Sequence, residues 1–401
     1  MNAERIDSLM AAYGIDWVVV EGSGSATSLF YLTRGAHIGS GIFLKERGKS
    51  PILVHIDMER DNVKHLTDFN LVSFSSLNLR ELNQIKDPVE RGFSYYVRIF
   101  EKFGVKGKIY FQGERFNNVS LQVFKKISSE LKCIEFPPIK EDIVYSARRQ
   151  KTEDEIEKIK SVAERTQEAF LTLINYLKGL KRVNGHLEDN GNPFTIGMAR
   201  VFLRNELIKR GLLDSSGMII AQGRDGGVPH NHGNDEEPIR VGVPVVFDIY
   251  PKEYGGGFYF DMTRTYSFGE PSNEVIDAYE QVKYIQEEAV KQATVGKACK
   301  ELEELVVNYF ESKGHDTLRK NPQAQEGYVH SLGHGVGLDV HELPVINLNS
   351  EHTLEKGDVF TIEPGLYYPS KGFGIRIEDT LYIDGNGNTI NLTYVPKDLV
   401  L

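Results

Sequence analysis

VPVVFDIYPKEYGGGFYFDMTRT, residues 243–265, decides how the rest of this 401-residue chain is read. It opens on a nearly unbroken apolar run, Val243 to Ile249, the pattern of a strand buried on both faces. Asp248 sits inside that run, where a lone carboxylate is costly unless it is paired, protonated or bound to a cation. A glycine turn follows, Tyr254 to Gly257. In the strand after it Phe258, Phe260 and Met262 share one face, and Tyr259, Asp261, Thr263 and Thr265 share the other. With the turn centred between Tyr254 and Gly255, Asp248 and Asp261 face each other across an antiparallel hairpin. Like charges opposed in an apolar setting repel, so a cation is expected between them, and a metal ion is the simplest one.

The pattern returns further on. Gly242 to Asp248 and Gly357 to Glu363 both end an apolar run on a carboxylate, and Asp261-Met-Thr263 is matched by Glu378-Asp-Thr380. Ile375 and Ile377 share one strand face, while Arg376, Glu378 and Thr380 share the other. Each half thus offers a hairpin with two inward carboxylates, which predicts a pseudo-two-fold domain. Between the hairpins lies VHSLGHGVGLDVHELP, Val329 to Pro344, with His330, His334 and His341. A lone histidine is ordinarily structural; three flanked on both sides by carboxylate hairpins point to a site. Gly333, Gly335 and Gly337 let the backbone pass close to whatever the histidines hold. The spacing differs from the HExxH zinc motif. Four carboxylates and a histidine form a hard, oxygen-rich set suited to Mn²⁺, Co²⁺ or Fe²⁺, with Zn²⁺ also compatible. Four negative charges are matched by two divalent ions, and a pair about 3.5–4 Å apart activates water and polarises the bond under attack. That chemistry is hydrolytic.

Composition sets the bounds. The length allows two domains, and 40% hydrophobic with 26% charged residues is ordinary for a globular protein. A net charge of −10 without a dense Lys/Arg cluster argues against a nucleic-acid or membrane partner. Cys133 and Cys299 are too few for a disulfide framework. With no signal-like N-terminus and no long apolar run, a cytoplasmic location is expected. Residues 1–145 alternate short strands with helical patterns and read as an N-terminal α/β domain without a catalytic constellation; His37, His55 and His65 are scattered there. Pro137 to Arg149 reads as a linker. In the second domain, 146–401, Thr152 and Glu155 form a capping box at a helix start. Further helices are predicted over 197–210, 274–293 and 299–313, the last stopping at Gly314. The charge run Glu301–Glu304 is expected on a solvated face.

The strings DMTRT, GHGVGLDVHE, TIEPGLY and GIRIEDT resemble the metal site of the pita-bread metallopeptidases: Xaa-Pro aminopeptidases, Xaa-Pro dipeptidases and methionine aminopeptidases. The resemblance covers essentially the whole chain, because residues 1–145 are similar to the creatinase-type domain of the Xaa-Pro members, which methionine aminopeptidases usually lack. It implies an α/β chain of a creatinase-like domain followed by a pita-bread catalytic domain. It further implies that Asp248, Asp261, His334, Glu363 and Glu378 hold two divalent ions, Mn²⁺ first among Mn²⁺, Co²⁺, Zn²⁺ and Fe²⁺. Asp248 would bind one ion, Asp261 and Glu378 would bridge the pair, and His334 with Glu363 would hold the second. Glu363 would also be general base. His230 and His341 match histidines that contact the substrate carbonyl and stabilise the tetrahedral intermediate. His330 matches a further substrate-side histidine. Arg376, Tyr367 and Thr263 would support the ligands or line the pocket. His232 is equally consistent with a role there and with a plain loop histidine. The implied substrate is a peptide or dipeptide with proline second, and the implied assembly is a homodimer.

One departure stands out: the family spacing between the two aspartates is two residues shorter, and the glycine of its Asp-x-Gly is Tyr250 here. An even insertion keeps both side chains on one face of the hairpin, so ligation should survive while the turn beside the pocket changes. The proline preference rests on the resemblance: a prolyl amide has no N–H and a fixed ring, which ordinary aminopeptidases accept poorly. Two other readings compete. A same-fold hydrolase or lyase of small-molecule C–N bonds, such as creatine amidinohydrolase, works without metal and has lost the carboxylates kept here. A non-enzymatic binding protein predicts a replaced ligand, and none is replaced.

Overall fold

The computed structural model describes residues 1–114 and 117–401, which separate into two units, Met1–Arg148 and Arg149–Leu401. The first is built on a mixed sheet of β1 (Trp17–Gly22), β2 (Gly41–Glu46), β3 (Ile52–His55), β4 (Asn70–Ser73), β5 (Gly107–Gly113) and β6 (Ile134–Glu135), in the order β4-β3-β2-β1-β5-β6. Strands β1 to β3 run antiparallel, and β5 joins β1 in parallel. Helices Pro88–Phe103 and Asn118–Glu130 cover it, burying Ile99, Phe100, Val123 and Ile127 with Trp17, Val19, Ile42 and Leu44. The sequence dictates the ends of the first helix: Asp87 accepts from the backbone of Val89 and Glu90, and Gly104 takes a left-handed φ of 67° at its close. The expected linker is corrected in part, since Ile143–Arg149 is helical. Ile143, Val144 and Ala147 fall at helical spacing and are fully buried, a signal masked by the two prolines before them.

The second unit opens with the expected capping box: Thr152 Oγ1 accepts from Glu155 N, and the Glu155 carboxylate accepts from Thr152 N, at the start of helix Glu153–Gly179. Two halves follow, each a helix pair packed on a hairpin. Helices Glu153–Gly179 and Ile196–Lys209 bury Phe170, Leu173 and Leu203 against Phe247, Phe260 and Tyr266 of the first hairpin, Pro244–Ile249 with Met262–Ser267. Helices Asn273–Gln292 and Cys299–Ser312 bury Val282, Leu302 and Val306 against Phe360, Ile375 and Leu381 of the second. There Val359–Ile362 and Gly365–Tyr368 go out, and Phe373–Arg376 and Asp379–Ile383 return. The hairpins meet where Glu378 N donates to Thr263 O at 3.0 Å. Among the described residues no helix is long and apolar enough to cross a membrane.

The register of the first hairpin differs from expectation. Asp248 pairs with Thr263, Ile249 with Met262, and Lys252 with Tyr259, which centres the turn between Gly255 and Gly256. Asp261 therefore falls opposite Tyr250 rather than Asp248. Moving the centre by one residue moves each partner by two, so the side-chain face is unchanged and both aspartates still point the same way. In the second hairpin Ile362 pairs with Asp379 and Gly365 with Arg376, a register that sets Glu363 opposite Glu378.

Candidate metal centre

Asp248 is the penultimate residue of an otherwise apolar strand, Asp261 and Glu378 immediately precede strands, and Glu363 immediately follows one, so sheet backbone sets all four carboxylates. His334 comes from the short strand Gly333–Gly335, and its N–H donates to Thr361 Oγ1 at 3.1 Å. That strand must lie close to its neighbours: a Cβ on Gly333 would stand 2.1 Å from Thr361 O, and one on Gly335 2.1 Å from Leu343 O.

The ligand atoms of Asp261, His334 and Glu378 lie within 4.8 Å of one another. His334 Nε2 is 3.2 Å from Glu363 Oε1 and 3.8 Å from Asp261 Oδ2. Its Nδ1 lies 3.1 Å from the Gly335 carbonyl, the bond that directs Nε2, the nitrogen a metal would take, toward the acids. Burial pushes Asp261 well above the usual carboxylate range, and Asp248 adds to the shift. Glu378 rises the same way, from burial and then from Asp261 and Glu363. Asp248 is also raised by burial, less steeply because Arg376 counters it. Against its own burial, Glu363 is drawn down to about 2 by the hydrogen bond and charge of His334. His334, which burial alone would lower, is brought up to about 9 by Glu363 and Asp261.

Whether these residues suit divalent cations is tested by their unmet valences. Asp248 Oδ1, Asp261 Oδ1 and Glu378 Oε1 are buried without a hydrogen-bond partner. Buried polar atoms are almost always satisfied, so three orphaned carboxylate oxygens in one cluster are what a cation site requires. The set fits.

Arg376, 3% exposed, organises the surroundings. Its Nη2 donates to Asp248 Oδ2 at 2.5 Å, Nε to Thr263 Oγ1 at 3.1 Å, and Nη1 to the Tyr367 hydroxyl at 2.7 Å. Thr263 Oγ1 in turn donates to Glu378 Oε2 at 2.8 Å. One guanidinium thus contacts a carboxylate of the first hairpin directly and one of the second through Thr263. Tyr367 stands 2.9 Å from His330 Nε2, while His330 Nδ1 lies 2.7 Å from Ser331 O. Both ring nitrogens of His330 thus have partners within the protein, and through Tyr367 the ring is linked to Arg376.

His341 stands edge-on to His334, ring centroids 4.3 Å apart, and is exposed. His230 is also exposed; the carbonyl of its neighbour Pro229 accepts from Arg376 Nη1 at 3.4 Å. His232 Nδ1 lies 3.1 Å from Met218 O, and Arg200 donates to its carbonyl, contacts that anchor the loop bearing His230. Tyr250, opposite Asp261, is raised in pKa by burial and by Asp248 and Asp261, so the residue at the spacing departure belongs to the same electrostatic neighbourhood.

Two buried groups escaped sequence reasoning. Arg264 and Asp379, both fully buried, pair at 2.8 Å, and Arg264 Nη1 donates to the carbonyls of Thr263 and Glu378, backing both ligand-bearing segments. Glu303 belongs to the charge run expected in solvent. Glu301 is exposed and Glu304 half-buried, but Glu303 is only 4% exposed. The available signal was its helical spacing from Cys299, Val306, Val307 and Phe310, all buried.

The sequence profile described as metallopeptidase family M24 matches residues 157–385. An Xaa-Pro dipeptidase of Pyrococcus furiosus is 27% identical over 403 residues, covering 99% of each chain. An X-Pro aminopeptidase structure from Thermotoga maritima aligns with a TM-score of 0.74 at 27% identity, over 99% of this chain and 100% of that one. An Xaa-Pro dipeptidase structure from Bacillus anthracis aligns with a TM-score of 0.77 over 100% of this chain and 99% of that one; at 24% identity it attests the fold.

Proposed function

The chain belongs to metallopeptidase family M24, and from that premise we propose that it hydrolyses the bond between an N-terminal residue and a following proline. Asp248, Asp261, His334, Glu363 and Glu378 would hold two divalent cations, Mn²⁺ first among the candidates. The observation that carries this reading is the trio of buried, partnerless carboxylate oxygens on Asp248, Asp261 and Glu378. When bound, divalent cations supply Lewis acidity and make water a nucleophile near neutral pH.

The chain's own residues do the rest. Glu363, the acid held lowest by its histidine partner, is the carboxylate ready to take a proton from the attacking water and pass it to the leaving prolyl nitrogen. Arg376 and Thr263 keep Asp248 and Glu378 in fixed rotamers, so little reorganisation is needed as charge develops. His341, its ring beside His334, and His230 are both exposed and would donate to the oxygen of a tetrahedral intermediate. The dipeptidase named in Pyrococcus furiosus and the aminopeptidase named in Thermotoga maritima support a substrate with proline second.

The test is hydrolysis of Ala-Pro and Ala-Pro-Ala by protein dialysed against a chelator, then reloaded with Mn²⁺, Co²⁺, Zn²⁺ or Fe²⁺. Loss on dialysis and recovery on reloading are expected, and the preferred peptide separates dipeptidase from aminopeptidase. Activity untouched by chelation, or no cleavage of either peptide with any metal, refutes the reading.

A further inference from the structure

Glu303 lies on the helix Cys299–Ser312, in an apolar layer with Leu302, Val306, Phe310 and Leu332. Packing alone would favour a leucine there, because burying a carboxyl is costly unless donors compensate it. The donors are specific. Glu303 Oε2 accepts from the Leu332 N–H at 2.6 Å and from the Tyr328 hydroxyl at 3.3 Å. Both belong to the segment that carries His330 and leads into the strand of His334. The Leu332 carbonyl, on the other side of the same residue, accepts from the Glu363 N–H at 2.8 Å. Tyr328 packs edge-on against His330, centroids 5.5 Å apart.

We propose that Glu303 is a positioning residue of the metal centre, fixing His334 and Glu363 through its grip on Leu332. Leu332 is held at its N–H by Glu303 and at its carbonyl by Glu363, so displacing the Glu303 oxygen displaces the backbone to which Glu363 is hydrogen-bonded. The same displacement moves Gly333, and with it the strand that presents His334 Nε2 to Glu363 and Asp261. Burial pushes the Glu303 carboxyl up to about 7, and Tyr328 and Glu363 are the ionisable groups that face it. Both donors fall on the single oxygen Oε2, so an oxygen acceptor at this point matters more than a full charge. The assignment rests on the metal-centre reading above.

Two substitutions separate positioning from packing. Glu303→Asp keeps the carboxyl but withdraws it by one methylene; Glu303→Gln keeps the length and a carbonyl acceptor. Folding is checked by circular dichroism and thermal midpoint, geometry by the visible spectrum of the Co²⁺-loaded protein, and catalysis on whichever Xaa-Pro peptide the parent cleaves. Glu303→Asp should shift the cobalt bands and lower kcat roughly tenfold or more, with KM within about threefold, as a displaced catalytic group does. Glu303→Gln should stay within about threefold of the parent in kcat and keep its cobalt spectrum.

A folded Glu303→Asp protein with parental spectrum and kcat, or a Glu303→Gln protein as impaired as the aspartate, overturns the proposal. If Glu303→Asp does not fold, Tyr328→Phe replaces it: removing one of the two donors should shift the cobalt bands and lower kcat at unchanged KM, and parental values of both overturn the proposal. Should the parent cleave no Xaa-Pro peptide, the function reading fails, while the cobalt spectra still decide whether Glu303 positions the ligands.

Discussion

Arg376→Met tests the electrostatics of the centre most directly. The arginine makes four side-chain contacts, to Asp248, Thr263, Tyr367 and Pro229, and all its partner atoms are buried or partly buried. Asp248 Oδ1 already lacks a partner, so the substitution leaves that carboxylate with no cation in protein freed of metal by chelation. Removing one member of a buried ion pair costs about 3–5 kcal/mol, and methionine fills much of the arginine volume, which keeps the packing loss small. Protonation of Asp248 caps the penalty. Burial already raises this group, and loss of Arg376 removes the main influence that lowers it. A carboxyl whose folded pKa exceeds its unfolded value binds more protons when folded, so its stability contribution falls as pH rises through that window. The loss on substitution should therefore be smaller near pH 5.5 than near pH 8, changing by at most about 1.4 kcal/mol per pH unit. Urea unfolding of chelated parent and variant at both values measures it, and loading with Mn²⁺, which restores a counter-charge, should shrink the difference. A loss below about 1 kcal/mol at the higher pH, or one independent of pH, would refute this account of Asp248.

Glu363→Gln, nearly isosteric but unable to take a proton, should lower kcat of the metal-loaded protein by about 10²–10⁴; near-parental turnover would remove Glu363 from the role of base. Metal loading should release protons, since burial and mutual repulsion hold Asp261 and Glu378 protonated well above the ordinary range and His334 keeps its proton up to about 9. Calorimetric titration of chelated protein with Mn²⁺ at neutral pH, in buffers of different ionisation enthalpy, should show a buffer-dependent heat, and identical heats would count against it.

What the sequence disclosed was parity and spacing. The side-chain alternation that put Asp248, Asp261, Thr263 and Thr265 on one face survives in the structure although the turn centre was misplaced by a residue, because the face depends only on even or odd separation. The helix beginning at Thr152 was legible for a comparable reason: a capping box is a local, three-residue signal. Contacts made through backbone groups distant in sequence left no such trace. Nothing in the string announces that both His330 nitrogens are occupied, or that Glu303 meets Leu332, because those bonds exist only once separate segments are brought together. Glu303 was also disguised by its company, one inward-facing acid among acids that face solvent.

Arg376 adds a positive charge to the candidate centre. Four carboxylates taken alone are balanced by two divalent cations, which would leave a neutral centre with no electrostatic preference for a transition state. The structure adds a buried guanidinium in contact with one of those carboxylates and, through Thr263, with another. Were all four acids ionised and His334 neutral, two divalent cations would then leave one net positive charge in a largely water-excluded setting. That surplus would favour the negative charge that develops on the carbonyl oxygen of the proposed substrate, and more in the transition state than in the neutral ground state. Arg376 would thus have two consequences from one position under the proposed function: it holds Asp248 and, through Thr263, Glu378 in place, and it would bias a loaded centre toward the oxyanion.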